Sequence, residues 1–538
     1  MHPSASSPAN SEDHKLWFRF LLCCFTLICG FRIFLVEKFG APIAWGDDLD
    51  GTAFRILAPL RDGSFTWPLL FKAHNGDHVI AATRLWEMLW FKINGEWDPK
   101  LVMFVKTPIY AAAMTIFLHL FTRGLEHGRF LAAGILAALF AFPFNYQNLL
   151  WAFQSQFDFF FLAAALGWLA LLNGRPILAL ICAAIAPFTL GAGPIVAVSY
   201  VPFFAAAVYN KSWTWRKAGV FGMIAIAIAA YGASLPTPDA MPRTGTWGDR
   251  IATLFKLYAW PYSNLLSAVE RLPESSNLIP RPLLNFPSAE TSWMLAFARQ
   301  MDHHPILPVV MNLLTAILFV APMAVVAILV ARKQIPLRVV RGPLNISVFA
   351  GCMLGATAIA RTDQPTIGMR FLDHVMLAGL ASITACFVLW ACHRRSRPWL
   401  AMWGLVLGLG YLATVGATLS QIINRRRPQI SLEILQRYYV ANDHAVLREN
   451  DNFRHFITGD DPTEFMAMLD EPSLRPVLPR AITAPGTGRG LAATVASGVG
   501  QMGLLIALGG VGGAAWIARR ARRVRIYPPS NLVPATPA

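Results

Sequence analysis

Twelve apolar stretches divide this chain, and most of them are long enough to cross a membrane as a helix. A crossing helix needs about 17–25 apolar residues. Charged residues make up 14% of the chain, whereas a soluble protein has roughly 25%, so there is too little charge to coat several soluble domains. The sequence therefore predicts an all-α polytopic membrane protein with about 12 transmembrane helices. The stretches are 16–36, 101–121, 130–150, 157–173, 176–190, 192–209, 217–235, 306–331, 344–360, 372–391, 399–421 and 491–517.

Basic residues are concentrated in alternate loops. The N-terminal segment to Arg19, the loops 122–129, 174–175, 210–217, 332–343 and 392–398, and the tail from 518 hold 20 of the 46 Lys and Arg residues. They hold only three of the 30 Asp and Glu residues. Loops rich in Lys and Arg stay in the cytoplasm. The net charge of +16 is therefore a topology signal, and no nucleic-acid partner is expected. Both termini are predicted to be cytoplasmic, with the long loops on the other side.

The chain divides into a membrane bundle and a few polar segments. We expect a cytoplasmic leader (1–15), a membrane-embedded bundle (16–421) with long outer loops at 37–100 and 236–305, and an outer helical segment (422–490). A final transmembrane helix (491–517) and a basic cytoplasmic tail (518–538) follow. Whether 176–209 forms two spans or a re-entrant pair is open. The seven cysteines lie in or beside the apolar stretches, so no disulfide framework is expected in the outer loops.

Two adjacent carboxylates follow the first span. Asp47 and Asp48 lie a few residues beyond it, and their mutual repulsion needs a reason. One reason is catalysis, because a carboxylate with an acidic neighbour can act as a general base. Another is the binding of a divalent cation by oxygen ligands. The alternative is a helix start, with either Asp as the N-cap and Gly51 as a turn residue.

The next polar cluster contains His74, Asp77, His78 and Arg84. A turn at Asn75–Gly76 would present both histidines and the acid together. The spacing does not complete a zinc site, so contacts with a polar substrate fit better. The alternative is a solvated turn before an amphipathic helix that lies at the interface.

Three glutamines, Gln147, Gln154 and Gln156, follow at the outer end of the third span, together with Asp158. Polar side chains are unfavourable in contact with lipid, so we expect them to face a cavity and to bind substrate. Hydrogen bonding between helices is the alternative.

Two arginines, Arg361 and Arg370, lie in a short outer loop late in the chain. Guanidinium groups bind phosphate through two parallel hydrogen bonds, so this loop is suited to an anionic headgroup. The alternative is that both arginines only anchor the hairpin at the interface.

These features occur in a recognisable order over roughly residues 16–480. The matching stretches are Asp77-His78-Val79-Ile80-Ala81-Ala82-Thr83-Arg84-Leu85, Gln147-Asn148-Leu149-Leu150-Trp151-Ala152-Phe153-Gln154-Ser155-Gln156-Phe157, and Ala360-Arg361 with Arg370-Phe371. The pattern resembles a mannosyltransferase-like group of bacterial membrane glycosyltransferases in the GT-C superfamily. Val79 stands where that group usually has Arg, and Phe371 stands where Tyr is common.

The resemblance implies a transferase of the bacterial inner membrane whose active face is periplasmic. A polyprenyl-phosphate sugar would be the donor, a cell-envelope glycan or lipid the acceptor, and transfer would invert the anomeric centre. A first-loop acid, Asp47 or Asp48, would be the general base. His74, Asp77, His78, Arg84, Gln147, Gln154, Gln156, Arg361 and Arg370 would bind substrate. The cofactor is unknown, and a divalent cation is possible but not required. Membrane lipids are the other expected partners.

Two other classes of function remain open from the sequence. A transporter or flippase of lipid-linked sugars would also have many spans and a polar cavity, but it would carry charged residues at mid-bilayer depth. The sequence shows few of these. An O-antigen-type polymerase or ligase would also place arginines on lipid phosphates, although typically around one large late loop.

Overall fold

The structure, a computed structural model, describes residues 8–42, 46–74, 78–125, 128–142, 146–235, 246–255, 257, 306–360, 372–392, 397–405, 408, 415, 428–449, 466–467, 469–487 and 489–526. The helices are α1 (Pro8–Phe39), α2 (Gly46–Asp48), α3 (Ala58–Asp62), α4 (Ala81–Asn94), α5 (Pro99–Thr122), α6 (Arg129–Ala141), α7 (Tyr146–Leu150), α8 (Ser155–Leu172), α9 (Pro176–Ile185), α10 (Pro194–Tyr209), α11 (Trp215–Ser234), α12 (Ile306–Ala331), α13 (Leu337–Ala360), α14 (Leu372–Cys392), α15 (Pro428–Val440), α16 (Ala445–Glu449), α17 (Arg480–Thr483), α18 (Leu491–Gln501) and α19 (Gly503–Ile526). A π-helix, Leu49–Leu57, joins α2 to α3, and short 3-10 turns lie at Trp67–Phe71, Ala152–Gln154 and Ala186–Phe188.

Seven helices in the described part of the chain are long and apolar enough to cross a membrane. They are Glu12–Phe39, Pro99–Thr122, Ala152–Leu172, Trp215–Ser234, Leu337–Ala360, Asp373–Ala391 and Gly503–Arg522. Shorter apolar helices lie at Arg129–Ala141, Pro176–Phe188, Pro194–Tyr209 and Val320–Ala331. The predicted class, a helical membrane protein with several spans, is confirmed. The number of about 12 spans stays a prediction, and the predicted span 399–421 lies mostly outside the described residues.

Several predicted boundaries differ from the observed helices. The stretch 176–209 forms two short helices, α9 and α10. The first helix begins at Pro8, inside the predicted leader. The predicted final span 491–517 is interrupted at Met502, after a glycine-rich run of low helix propensity, and α19 continues through the basic tail to Ile526. Of the predicted outer loop 236–305, only 246–255 and 257 are described.

The basic segments meet at one end of the bundle, here called the basic end. Arg520 near the C-terminus lies 3.4 Å from Glu12, and Arg129 in the 122–129 loop lies 2.7 Å from Asp13. Arg123 donates to the Asn173 side chain at 3.3 Å. Both ends of the described chain therefore lie on the same side of the bundle, and the opposite end, here called the outer end, carries the described parts of 37–100 and 428–490.

The first and last helices, α1 and α19, pack antiparallel through small residues. Buried positions in α19 follow one face of the helix, at intervals of three, four or seven residues: Gly503, Ala507, Gly510, Ile517 and Ala521. A Cβ atom at Gly510 would lie 2.6 Å from the Leu27 backbone nitrogen. The two backbones can approach this closely because no side chain separates them, which is the usual packing of small residues between membrane helices.

We expect Gly510→Leu to destabilise the protein by about 1–3 kcal/mol, the range for overpacking a close contact. Gly509→Leu is the matched control, because nothing lies within 4 Å of a Cβ at Gly509, and it should change stability by no more than about 0.5 kcal/mol. Thermal unfolding of both variants in the same detergent tests this. Equal melting temperatures for the two variants would contradict the packing of α1 against α19.

A second apolar cluster, the outer core, lies at the outer end and combines distant parts of the chain. It contains Leu49, Ile56, Val79, Trp97, Phe153, Ile434, Tyr438, Leu474 and Ile482, among others. Polar contacts fix the same arrangement. Glu96 accepts hydrogen bonds from the backbone nitrogens of Gly490 at 2.7 Å and Arg480 at 2.9 Å. Arg489 pairs with Asp98. The first outer loop and the described parts of 428–490 therefore pack together as one unit.

Candidate functional site

A buried hydrogen bond joins the first outer loop to the segment between α7 and α8. The Asp48 carboxylate accepts from the Phe153 backbone nitrogen at 2.7 Å, and Asp48 is fully buried. Asp48 has helical dihedral angles and makes no side-chain capping hydrogen bond. Gly51 lies inside the π-helix. A helix does start here, at Gly46, but Asp48 does not cap it and Gly51 is not a turn residue, because the Asp48 carboxylate bonds across the fold and Gly51 is helical.

His74 lies between two acids of the first loop. Its Nε2 atom is 3.6 Å from an Asp47 oxygen, and its Nδ1 atom is 3.9 Å from an Asp50 oxygen. Asp50 also pairs with Arg55 at 3.0 Å. The His74 side chain is 2% exposed, whereas that of Asp47 is 18% exposed. Of the two predicted catalytic acids, Asp47 is thus the one that a substrate can reach.

The His74 ring is held by its neighbours in a fixed position. Its centroid lies 4.8 Å from the Phe153 ring, and its backbone pairs with His78 in an isolated β-bridge. A Cβ atom at Gly51 would lie 2.6 Å from the Phe153 ring and 3.1 Å from the His74 ring. Only glycine at position 51 allows this close packing of the π-helix, the histidine and the phenylalanine. His78 is half-buried, and Asp77 lies outside the described residues.

Arg84 holds the backbone around the site. Its guanidinium group is buried and donates to the carbonyl oxygens of Gly51, Leu69 and Leu70 at 3.1 Å and of Lys72 at 2.5 Å. Burial lowers the pKa of Arg84 to about 10. The sequence predicts substrate binding by Arg84. That role stays a prediction, and the observed contacts show that Arg84 ties Gly51 of the π-helix to the segment 69–72 that precedes His74.

Glu87 is a buried acid that the sequence analysis missed. It accepts a hydrogen bond from the Trp97 indole at 3.1 Å. Burial raises the pKa of Glu87 well above its usual range, and the nearby Asp48 carboxylate raises it further. The helical period could have identified Glu87 as buried. It lies three residues after Arg84 and therefore on the same, buried face of α4, whereas Leu85 and Leu89 on the other face are exposed.

Glu87→Gln should make the protein less sensitive to alkaline pH. Glu87 binds its proton more tightly in the folded than in the unfolded state. Its contribution to stability is therefore complete below the unfolded pKa and is lost as pH rises through the folded pKa. Melting temperatures of wild type, Glu87→Gln and the exposed control Glu433→Gln, taken from mildly acidic to alkaline pH, test this. Parallel curves for wild type and Glu87→Gln would show that Glu87 is not the titrating group.

Two of the three predicted glutamines, Gln154 and Gln156, lie just after Phe153, whose ring contacts His74. Gln154 and Gln156 are buried and joined by a 3.2 Å hydrogen bond from Gln156 Nε2 to Gln154 Oε1. Gln147 is half-buried. Within the described residues, Gln154 Nε2 and Gln156 Oε1 have no hydrogen-bond partner. Buried polar atoms are normally paired, so this pair has one donor and one acceptor available for a ligand or water.

A network of charged side chains lies next to these glutamines on the side of the bundle, near the outer ends of α1, α5, α8 and α14. Lys106 donates to the backbone oxygens of Asn148 and Trp151, each at 2.6 Å, and lies 4.0 Å from Asp158. Asn148 in turn donates to Asp373 at 2.8 Å. The Arg32 guanidinium lies 3.7 Å from the Tyr110 ring centroid and interacts electrostatically with both acids. The sequence analysis did not single out Arg32, Lys106 or Asp373, although isolated charges in apolar spans are a recognised signal.

Lys106→Met should destabilise the protein by about 3–5 kcal/mol, because it leaves the Asp158 charge buried without its partner. Adding Asp158→Asn should recover about 0.5–3 kcal/mol, the coupling range of contacting residues. The control pair is Arg437 and Asp443, whose side chains are 63% and 29% exposed, and its removal should change stability by at most about 1 kcal/mol. A double-mutant cycle tests this, with the free energy of unfolding measured for the wild type, both single variants and the double variant. Strictly additive effects of Lys106→Met and Asp158→Asn would rule out the ion pair.

The remaining predicted site residues are not brought into this cluster by the described part of the structure. Arg361 and Arg370 lie outside the described residues. Within the described residues, no group of three or more His, Cys, Asp and Glu side chains could hold a metal ion. No protein-family model matches the chain, and no curated protein or solved structure matches it either. The interpretation of the site therefore depends on its own residues.

Proposed function

We propose that this protein is a membrane glycosyltransferase of the GT-C type. In this proposal it has about 12 spans, lies in a bacterial inner membrane with both termini in the cytoplasm, and transfers a sugar from a polyprenyl-phosphate donor to a cell-envelope acceptor at the periplasmic, outer end. The observation that supports it best is the partly exposed Asp47 carboxylate beside the buried His74. His78, which the resemblance assigns to substrate, pairs with His74 through the backbone, and Gln154 directly follows Phe153, whose ring contacts His74.

Asp47 is the general base in the proposed reaction. Its carboxylate takes the proton of the acceptor hydroxyl while the acceptor oxygen forms a bond to the anomeric carbon of the sugar. The bond from that carbon to the phosphate oxygen breaks on the opposite face, and polyprenyl phosphate leaves with the electron pair. The configuration is inverted because attack and departure occur on opposite faces. Positioning of the base by His74 contributes to the rate, since general-base catalysis depends on hydrogen-bond reach to the proton.

The other residues divide into binding and supporting roles. Gln154 and Gln156 offer one donor and one acceptor to sugar hydroxyls, and Gln147, His78 and Asp77 would also bind the substrate, as the resemblance implies. Arg361 and Arg370 would stabilise the charge that develops on the leaving phosphate. Asp373, in the first turn of the helix that follows them, is hydrogen-bonded to Asn148, which adjoins Gln147. Asp48 and Arg84 support the loop and do not contact substrate.

Asp47→Asn should reduce sugar transfer by about 10²-fold or more, the scale of lost general-base assistance, with an unchanged melting temperature. Asp48→Asn should instead lower the melting temperature, because it weakens the acceptor of the buried Phe153 hydrogen bond. The assay uses the purified protein in proteoliposomes with radiolabelled polyprenyl-phosphate hexoses and pentoses and an envelope extract as the acceptor source. Transferred sugar and released polyprenyl phosphate are both measured. Full transfer by Asp47→Asn would remove Asp47 from the mechanism.

A transporter or flippase of lipid-linked sugars is the second candidate. The buried charges Arg32, Lys106, Asp158 and Asp373 favour it, because ionisable groups within spans often line a transport path. The same proteoliposomes separate the two functions. A flippase would move the intact donor between leaflets and release no polyprenyl phosphate.

A further inference from the structure

An apolar groove lies on the side of the bundle, away from the polar site. Its cavity volume is about 870 Å³, and α6, α14 and the helical stretch 397–405 form its walls. Ile135, Leu139, Phe387 and Trp403 line it. Gly404 also lines it and leaves space, because a Cβ atom there would have nothing within 4 Å. This volume falls in the usual range of small-molecule sites.

The groove has the depth of one membrane leaflet. Along α6 it runs from Gly128 to Leu139, which is about 16 Å at the helical rise of 1.5 Å per residue. The hydrocarbon core is about 30 Å thick, so this length matches half of it. Gly128 immediately precedes Arg129, which pairs with Asp13, and the groove therefore opens at the basic end and reaches about the middle of the membrane.

One cation, Arg397, lies at the basic end of the groove. Its guanidinium carbon is 5.6 Å from the Trp390 ring centroid, and its Nε atom donates to the Trp390 carbonyl at 3.4 Å. Among the residues that the structure describes, no carboxylate lies within ion-pair distance of Arg397. The guanidinium group thus has donors left for an anion at the membrane surface, and basic pockets between helices on this side commonly bind anionic lipid headgroups.

We propose that this groove binds an anionic phospholipid of the leaflet at the basic end, with one acyl chain between α6 and α14 and its phosphate on Arg397. The single-leaflet depth favours a phospholipid over another transmembrane helix, which would need the full membrane thickness. The apolar walls and the cation Arg397 at the mouth match an acyl chain and a phosphate. This site is separate from the proposed transferase site and does not depend on it.

The test measures binding of fluorescent phosphatidylglycerol to the full-length protein in detergent. Arg397→Gln should weaken binding about fivefold, because one basic residue near the headgroup contributes about 1 kcal/mol to lipid binding. Gly404→Leu should weaken it by at least as much, because the new side chain fills the groove. The matched controls are Arg332→Gln, at an exposed position, and Gly222→Leu, where a Cβ atom has nothing within 4 Å. Both should bind like wild type.

Several results would overturn the proposal. If Arg332→Gln and Gly222→Leu lose as much lipid affinity as the groove variants, the lipid contact is nonspecific. If Arg397→Gln and Gly404→Leu both bind phosphatidylglycerol like wild type, the groove is not the site. Preferential competition by polyprenyl phosphate over phosphatidylglycerol would assign the groove to the other lipid. If Gly404→Leu does not fold, Ile135→Phe fills the same groove from α6, and circular dichroism with gel filtration checks each variant.

Discussion

The burial of the Lys106 ammonium group is the constraint on which the site depends. An ammonium inside a membrane protein must be hydrogen-bonded and neutralised, and Lys106 meets both needs with two backbone carbonyls and Asp158. The carbonyls that it uses, of Asn148 and Trp151, lie where the chain leaves α7. Trp151 is extended, with φ −134° and ψ 119°, so the chain bends there before α8 begins. The bend brings the Phe153 backbone nitrogen to Asp48.

Two apolar cores are connected through this polar layer. The bundle core lies among the spans, and the outer core lies among the loops at the outer end. Phe153 belongs to the outer core, whereas Phe157, one turn further along α8, belongs to the bundle core. The Asp48 hydrogen bond and the Lys106 contacts therefore lie at the junction of the two cores. A change in either would alter the position of the first loop relative to the bundle.

The proposed chemistry depends on the different environments of two adjacent acids. Asp48 points into the fold and bonds to backbone, while Asp47 keeps part of its carboxylate exposed beside His74. A general base must be accessible to the hydroxyl that it deprotonates, so burial separates a supporting residue from a catalytic candidate. Glu87 adds a buried acid nearby, whose pKa is raised by burial and by the Asp48 carboxylate.

The sequence alone determined the class of the protein, a helical membrane protein with several spans, and the segments that carry polar residues. Hydropathy and the distribution of Lys and Arg are local properties of the chain, and a membrane imposes them span by span. The tertiary structure decided which side chains meet. It paired Lys106 with Asp158, assigned Arg84 to backbone carbonyls, buried Glu87 and separated Asp47 from Asp48 by exposure. These outcomes depend on contacts between residues far apart in the chain, which no local pattern specifies.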